Sequence, residues 1–304
     1  METRPEDPAP RYGIRPPGYR LPDATALGPV HLQVADLDRS LAYYRRVLGL
    51  RTIEPGSHRA TLAATDDDTP LVVLTEHPGA APAPRRGRLG LFHFALLLPD
   101  RADLGRFAAH LADTGVRAGS ADHLVSEAFY LQDPDGLGIE VYADRPRAAW
   151  QQRHGELVMD TLPLDVAALT RAGGGRSWEG MPAGTVVGHV HLHVGDLEKA
   201  AAFYHAGLGL DVVVRSYPGA LFLSAGGYHH HLGLNTWAGP DAIPPEEGDA
   251  RLVEWTVVLP NGTGDGAAAG LASAGFSPAR TDRGWRVADP WGTALRLVES
   301  GTAK

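Results

Sequence analysis

From Pro29 the chain reads PVHLQV, and from His189 it reads HVHLHV. In both stretches apolar residues alternate with polar or imidazole ones, the period of a strand with one face on a core. Each run is followed by an aspartate, Asp36 or Asp196, suited to accept a hydrogen bond at the start of a helix. Leu37, Leu41, Tyr44 and Leu48 then recur at helical spacing, and Gly49 and Gly209 stand where a helix stops, a place that favours the left-handed backbone. The two 22-residue stretches that begin at Pro29 and His189 are identical at 11 positions, so the chain contains an internal repeat.

A second pair of related stretches begins with FHFALLLP from Phe92 and with EWTVVLP from Glu254. Each ends in a short strand after an Asp-Pro-x-Gly turn, in YLQDPDGLGIEVY from Tyr130 and RVADPWGTALRLV from Arg286. The pattern predicts an α+β fold of four βαβββ modules, at about 28–78, 88–145, 185–238 and 250–300. Domain boundaries follow: an arm over 1–27, a first two-module region over 28–145, a linker over 146–183, and a second two-module region over 184–300. The arm holds six prolines and is expected to run extended along the surface.

Composition narrows the function. The net charge of -8 and the absence of a basic block argue against nucleic acid or an anionic membrane as partner. There is no cysteine, which excludes disulfides and thiolate metal sites. No apolar run is long enough to span a bilayer, and the acidic, proline-rich start does not read as a signal peptide, so a cytoplasmic protein is expected.

The two copies serve as each other's control. A histidine present in both, such as His31 and His191, is most simply a packing or hydrogen-bonding residue. A polar residue present in one copy is a better candidate for chemistry. His189 corresponds to Pro29, His93 to Glu254, and Glu140 to Arg296. Two imidazoles and a carboxylate form the set that holds non-haem Fe(II) on one face and leaves other positions open. Proline and arginine cannot do this. The ligand candidates fall in modules two and three, and their replacements in one and four. Pairing modules in chain order would break both sets. Crossed pairing, two with three and one with four, assembles one whole triad, and it sets Arg296 against Glu254.

At these residues the sequence resembles the vicinal-oxygen-chelate superfamily, which includes glyoxalases, bleomycin-resistance proteins and type I extradiol dioxygenases. Within it, the likeness is to bacterial two-domain, four-module catechol 2,3-dioxygenases. The resemblance implies two half-barrel domains, an Fe(II) cofactor with Mn(II) as the alternative, and a small aromatic diol and dioxygen as substrates. It also implies a homo-oligomer. DHLVSEAFYLQDPDG, from Asp122, is similar to the extradiol segment that carries a catalytic histidine and tyrosine, which fall on His123 and Tyr130. YHHHLGLNTW, from Tyr228, is similar to the segment that supplies another active-site histidine, His230 or alternatively His231. The resemblance gives His123 acid–base work, Tyr130 a hydrogen bond to substrate, and His230 the stabilisation of superoxide. Phe129, Trp237 and Trp255 are candidates for the aromatic walls. In most extradiol enzymes the metal ligands come from the last two modules, whereas here they fall on two and three. Two rival readings on the same fold are a metal-dependent isomerase or lyase of glyoxalase type, which usually carries a fourth protein ligand, and a metal-free binding protein.

Overall fold

The structure is a computed structural model, described here for residues 12–301. Module one comprises β1 (Ala26–Val34), α1 (Leu37–Arg46), β2 (Arg51–Glu54), β3 (Arg59–Ala63) and β4 (Pro70–Glu76). Module two comprises β5 (Gly90–Leu97), α2 (Arg101–Thr114), β6 (Gly119–Asp122), β7 (Ser126–Gln132) and β8 (Gly138–Asp144). The linker contributes a small hairpin, β9 (Gln152–Arg153) and β10 (Glu156–Leu157), and a short helix, α3 (Val166–Ala172). Module three comprises β11 (Val186–His193), α4 (Leu197–Ala201), β12 (Asp211–Val214), β13 (Ala220–Ser224) and β14 (Leu232–Asn235). Module four comprises β15 (Arg251–Leu259), α5 (Gly264–Ser273), β16 (Ala279–Thr281), β17 (Gly284–Ala288) and β18 (Ala294–Glu299).

The strands form two eight-stranded sheets. One runs β12-β13-β14-β11-β5-β8-β7-β6 and the other β16-β17-β18-β15-β1-β4-β3-β2. Modules two and three therefore share a sheet through the antiparallel β5–β11 pair, and modules one and four share the other through β1–β15. Each sheet is a half-barrel. Asp36 and Asp196 cap their helices as the pattern predicts, accepting from the amides of Arg39 and Lys199 at 2.9 and 2.8 Å. Module three departs from the simple helix expected, because α4 runs on as a π-helical segment over Ala202–Gly207.

Alternation along the strands decides what each sheet shows to either side. Val30, Leu32 and Val34 of β1 join Val190 and Leu192 of β11, and Val194 just after it, in one buried apolar cluster, together with Ile139 and Val141 of β8. The residues between them, His31, His189, His191 and Glu140, take the opposite, concave faces.

The arm and the linker cross over in matching ways. The Leu21 amide donates to the Gly209 carbonyl at 2.8 Å, and the Met181 amide donates to the Gly49 carbonyl at 2.9 Å. The segment before module one thus docks on module three, and the segment before module three docks on module one. Gly49 has φ +73°, and a β-carbon there would stand 2.6 Å from Gly180. Both facts require glycine at that stop. Modules also meet across the sheets. The Tyr44 hydroxyl donates to Asp133 of the module-two turn at 3.2 Å, and Tyr204 does the same to Asp289 of the module-four turn at 2.9 Å.

Candidate metal centre and active site

His93 lies mid-way along β5, His189 on β11 and Glu140 on β8, three strands that are neighbours in one sheet. The Nε2 atoms of His93 and His189 each stand 3.0 Å from Glu140 Oε2, and 3.3 Å from each other. All three side chains are buried. Among the described residues they are the one group of three or more His, Asp or Glu able to share a cation. Three donors each ~2.1 Å from one ion stand ~3.0 Å apart on one octahedral face and ~3.4 Å apart on a tetrahedron. The observed separations of 3.0, 3.0 and 3.3 Å fall within this range, so the three atoms could share one ion. Two imidazole nitrogens and one carboxylate oxygen thus converge on a single point, where one cation could take all three as ligands.

Electrostatics agree with ligand roles. Burial holds His93 and His189 below the ordinary histidine range, so both are neutral and offer lone pairs. Burial alone would raise the Glu140 carboxyl, but the facing imidazoles of His189 and His93 hold it well below the usual carboxylate range. His189 Nδ1 has no partner. Its ring is held by packing against Tyr142 and His230.

These donors sit at the base of a cavity of about 340 Å³, enough for a substituted aromatic ring. His123, Tyr130 and His230 line it as well. The Tyr130 hydroxyl is 2.5 Å from His123 Nε2, and His123 Nδ1 is 2.8 Å from the Asp160 carbonyl. A carbonyl can only accept, so Nδ1 carries the proton and Nε2 accepts from the tyrosine. Burial, then the charge of Glu140, pushes the Tyr130 hydroxyl well above its ordinary pKa, so it stays a donor.

The three consecutive histidines lie in the loop before β14 and not in the strand, so alternation does not choose between them. Local turns do. His230 lines the cavity with its ring 4.1 Å from that of His189, whereas His231 accepts from the Ala225 amide through Nδ1 at 3.2 Å. His229, which the sequence reading passed over, is fully buried and binds Asp144.

Of the expected aromatic walls, Trp237 lines the cavity, and Phe129 and Trp255 do not. Phe129 is one residue from Tyr130 and so faces the other side of β7, against Phe107 of α2. Trp255 belongs to the other sheet and is buried against Tyr204. The walls are completed by Phe92, His191, Tyr217 and Phe222, with Met159 and Thr161 from the linker. His191 is shared by both copies, and it is a wall here because Gly233 opposite leaves room for its ring. A β-carbon at Gly233 would meet that ring at 2.8 Å. The linker's part had no sequence signal, because its cavity residues sit in an irregular segment. That segment is tied down by a pair of 2.9 Å backbone bonds between Leu162 and Asp122.

The model of the family described as Glyoxalase/Bleomycin resistance protein/Dioxygenase superfamily matches residues 26–141 and again 186–295. The chain is 46% identical over 270 residues to the Catechol-2,3-dioxygenase of Bacillus subtilis (strain 168), covering 88% of this chain and 94% of that one. Among solved structures, it resembles a provisionally assigned dioxygenase of Bacillus subtilis with a TM-score of 0.64 at 14% identity, over 94% of this chain and 88% of the other. Glyoxalase I from Zea mays aligns with a TM-score of 0.54 at 17% identity, over 91% and 92%. At these identities the structural likenesses speak for the fold. The repeat, the two sheets and the matched family model together mean that this chain belongs to the Glyoxalase/Bleomycin resistance protein/Dioxygenase superfamily.

Proposed function

We propose that the protein is an Fe(II)-dependent extradiol dioxygenase acting on catechol or a substituted catechol. The observation that carries this reading is the cluster of His93, His189 and Glu140, close enough to share one cation and opening on an aromatic cavity. The 46% identity to a catechol-2,3-dioxygenase supports it. Iron is favoured over manganese because two imidazoles and one carboxylate with open positions are typical of Fe(II) oxygenases.

His93, His189 and Glu140 would hold the iron, which supplies Lewis acidity toward the diol oxygens and an electron path between diol and dioxygen. Phe92, Phe222 and Trp237 would clamp the ring, so that reaction partners meet at high effective concentration. The Tyr130 hydroxyl donates to His123 Nε2, which leaves its oxygen to accept from a substrate hydroxyl, and His123 behind it takes up and returns a proton. One ring carbon–carbon bond beside the diol breaks and both atoms of O₂ enter the product, so no external reductant is needed.

A fourth carboxylate or imidazole would favour a glyoxalase-type reaction. Among the described residues none joins the cluster, and Asn235, at the end of β14, is bound to His193 at 2.6 Å. The test is metal content together with turnover of catechol in air. About one iron per chain and a yellow ring-fission product are expected. Zinc or nickel without oxygen uptake, or a metal-free chain, would overturn the reading.

A further inference from the structure

We propose that Asp144 and His229 are positioning residues that fix His230 as the tautomer whose unprotonated Nε2 faces the cavity, ready to accept a hydrogen bond from a substrate hydroxyl. The inference rests on the diol reading above.

Asp144 ends β8, four residues beyond Glu140, and its side chain is partly open to water. Its Oδ1 lies 2.9 Å from His229 Nε2 and 3.2 Å from the Tyr228 hydroxyl, which is itself 2.6 Å from the Tyr142 hydroxyl. His229 Nδ1 lies 2.7 Å from His230 Nδ1. In the neutral rings, these contacts admit one arrangement of protons. A carboxylate oxygen accepts, so His229 carries its proton on Nε2. Its Nδ1 is then bare, and at 2.7 Å the proton between the rings must sit on His230 Nδ1. The opposite arrangement would set lone pair against lone pair, either between the two rings or between His229 and Asp144. His230 Nε2 is left unprotonated, in a ring that lines the cavity.

This changes the role that the resemblance gives His230. In the resting state it cannot donate from Nε2 and so does not stabilise a reduced oxygen species by donation. It accepts. His123 also has an unprotonated Nε2, but Tyr130 already occupies it. Of these two histidines, His230 is therefore the one with a free acceptor for a hydroxyl of the bound diol.

The experiment is anaerobic titration of the iron-loaded enzyme with 4-nitrocatechol, whose visible spectrum reports binding and ionisation, with iron measured in each variant. His229→Phe should keep its iron, bind the probe about tenfold more weakly, and leave more of it protonated. His229→Gln, whose amide oxygen can accept from His230 Nδ1, should recover most of the affinity. Asp144→Ala, at a partly exposed position, should weaken binding in the same direction. Unchanged binding in His229→Phe would overturn the inference. So would a Gln variant as poor as Phe, since bulk and not the hydrogen bond would then matter, and so would loss of iron. A wild-type holoenzyme that does not bind 4-nitrocatechol would overturn the diol reading and this inference together.

Discussion

The two sheets have the same strand order and the same concave geometry, yet their centres carry opposite solutions to one electrostatic problem. In the β5–β11 sheet the buried carboxylate of Glu140 faces two neutral imidazoles. In the β1–β15 sheet the buried carboxylate of Glu254 is held by Arg296 Nε at 2.6 Å and by Arg286 Nε at 2.7 Å. A buried carboxylate requires compensation. One sheet builds the cations into the chain, and the other leaves a ligand set that a metal ion would complete. The walls differ to match. Phe222 pairs with Gly233 in the first sheet, while Thr61 pairs with Val73 at the corresponding place in the second and donates to Glu54 at 2.8 Å. The repeat preserved the scaffold, and a handful of substitutions decided which half could take metal and an aromatic ring.

Breaking the ligand set should give the largest effect. His189→Ala, His93→Ala or Glu140→Ala should abolish stoichiometric metal and reduce activity to background while the circular dichroism spectrum is kept, since the core lies on the opposite faces of the strands. A His189→Ala protein with full metal occupancy would remove the proposed centre.

His123→Ala tests the cavity without touching the cluster. It should retain iron and lose turnover by roughly 10²–10⁴-fold, the size of a lost acid–base group. Loss of iron instead would make His123 a ligand.

Changes in the β1–β15 sheet should affect stability and spare chemistry. Arg296 and Arg286 are 34% and 51% exposed, so each alone is screened by water, and each backs up the other. Arg296→Leu is expected to cost only about 1–2 kcal/mol in a urea melt. Removing both arginines leaves Glu254 buried without a cation and should cost about 3–5 kcal/mol. Iron content and turnover should stay near wild type in both; a matching loss of activity would mean the two sheets are coupled more tightly than their geometry indicates.

The smallest effect is a pH dependence. Burial, with Arg59 nearby, lowers the His31 pKa from its ordinary 6.5 to about 4. Protons therefore bind the unfolded chain more readily than the folded one. The resulting stability is complete above about 6.5 and is lost as pH falls toward 4. His31 lies in the sheet without the ligand set, so metal release does not mask its titration. His31→Gln should show a shallower fall in urea midpoint between pH 7 and pH 5 than wild type, and an equal or steeper fall would refute the assignment.

Much of this could be read along the chain. Alternation in PVHLQV and HVHLHV placed His31, His189 and His191 on the concave faces, because a strand's side-chain period is fixed by the backbone. Comparison of the copies singled out His93, His189 and Glu140, because a substitution that destroys ligand capacity is visible as residue type alone. It also set Arg296 against Glu254. It missed Arg286, whose place beside Arg296 depends on β17–β18 register. Phe129 and Trp255 were misplaced as walls because aromatic character does not say which face of which sheet a ring takes.

What the sequence by itself determined, then, was the local grammar: strands, caps, the repeat and the residue types of the candidate ligand set. Tertiary structure decided the rest. It put the His230 ring and not that of His231 on the cavity through loop turns, brought Met159 and Thr161 of the linker there too, and put Asp144 behind His229. The physical reason is range. Secondary structure and ligand type follow from neighbours a few residues apart, whereas cavity walls and proton positions are set by contacts such as Asp144 with His229, 85 residues away in the chain.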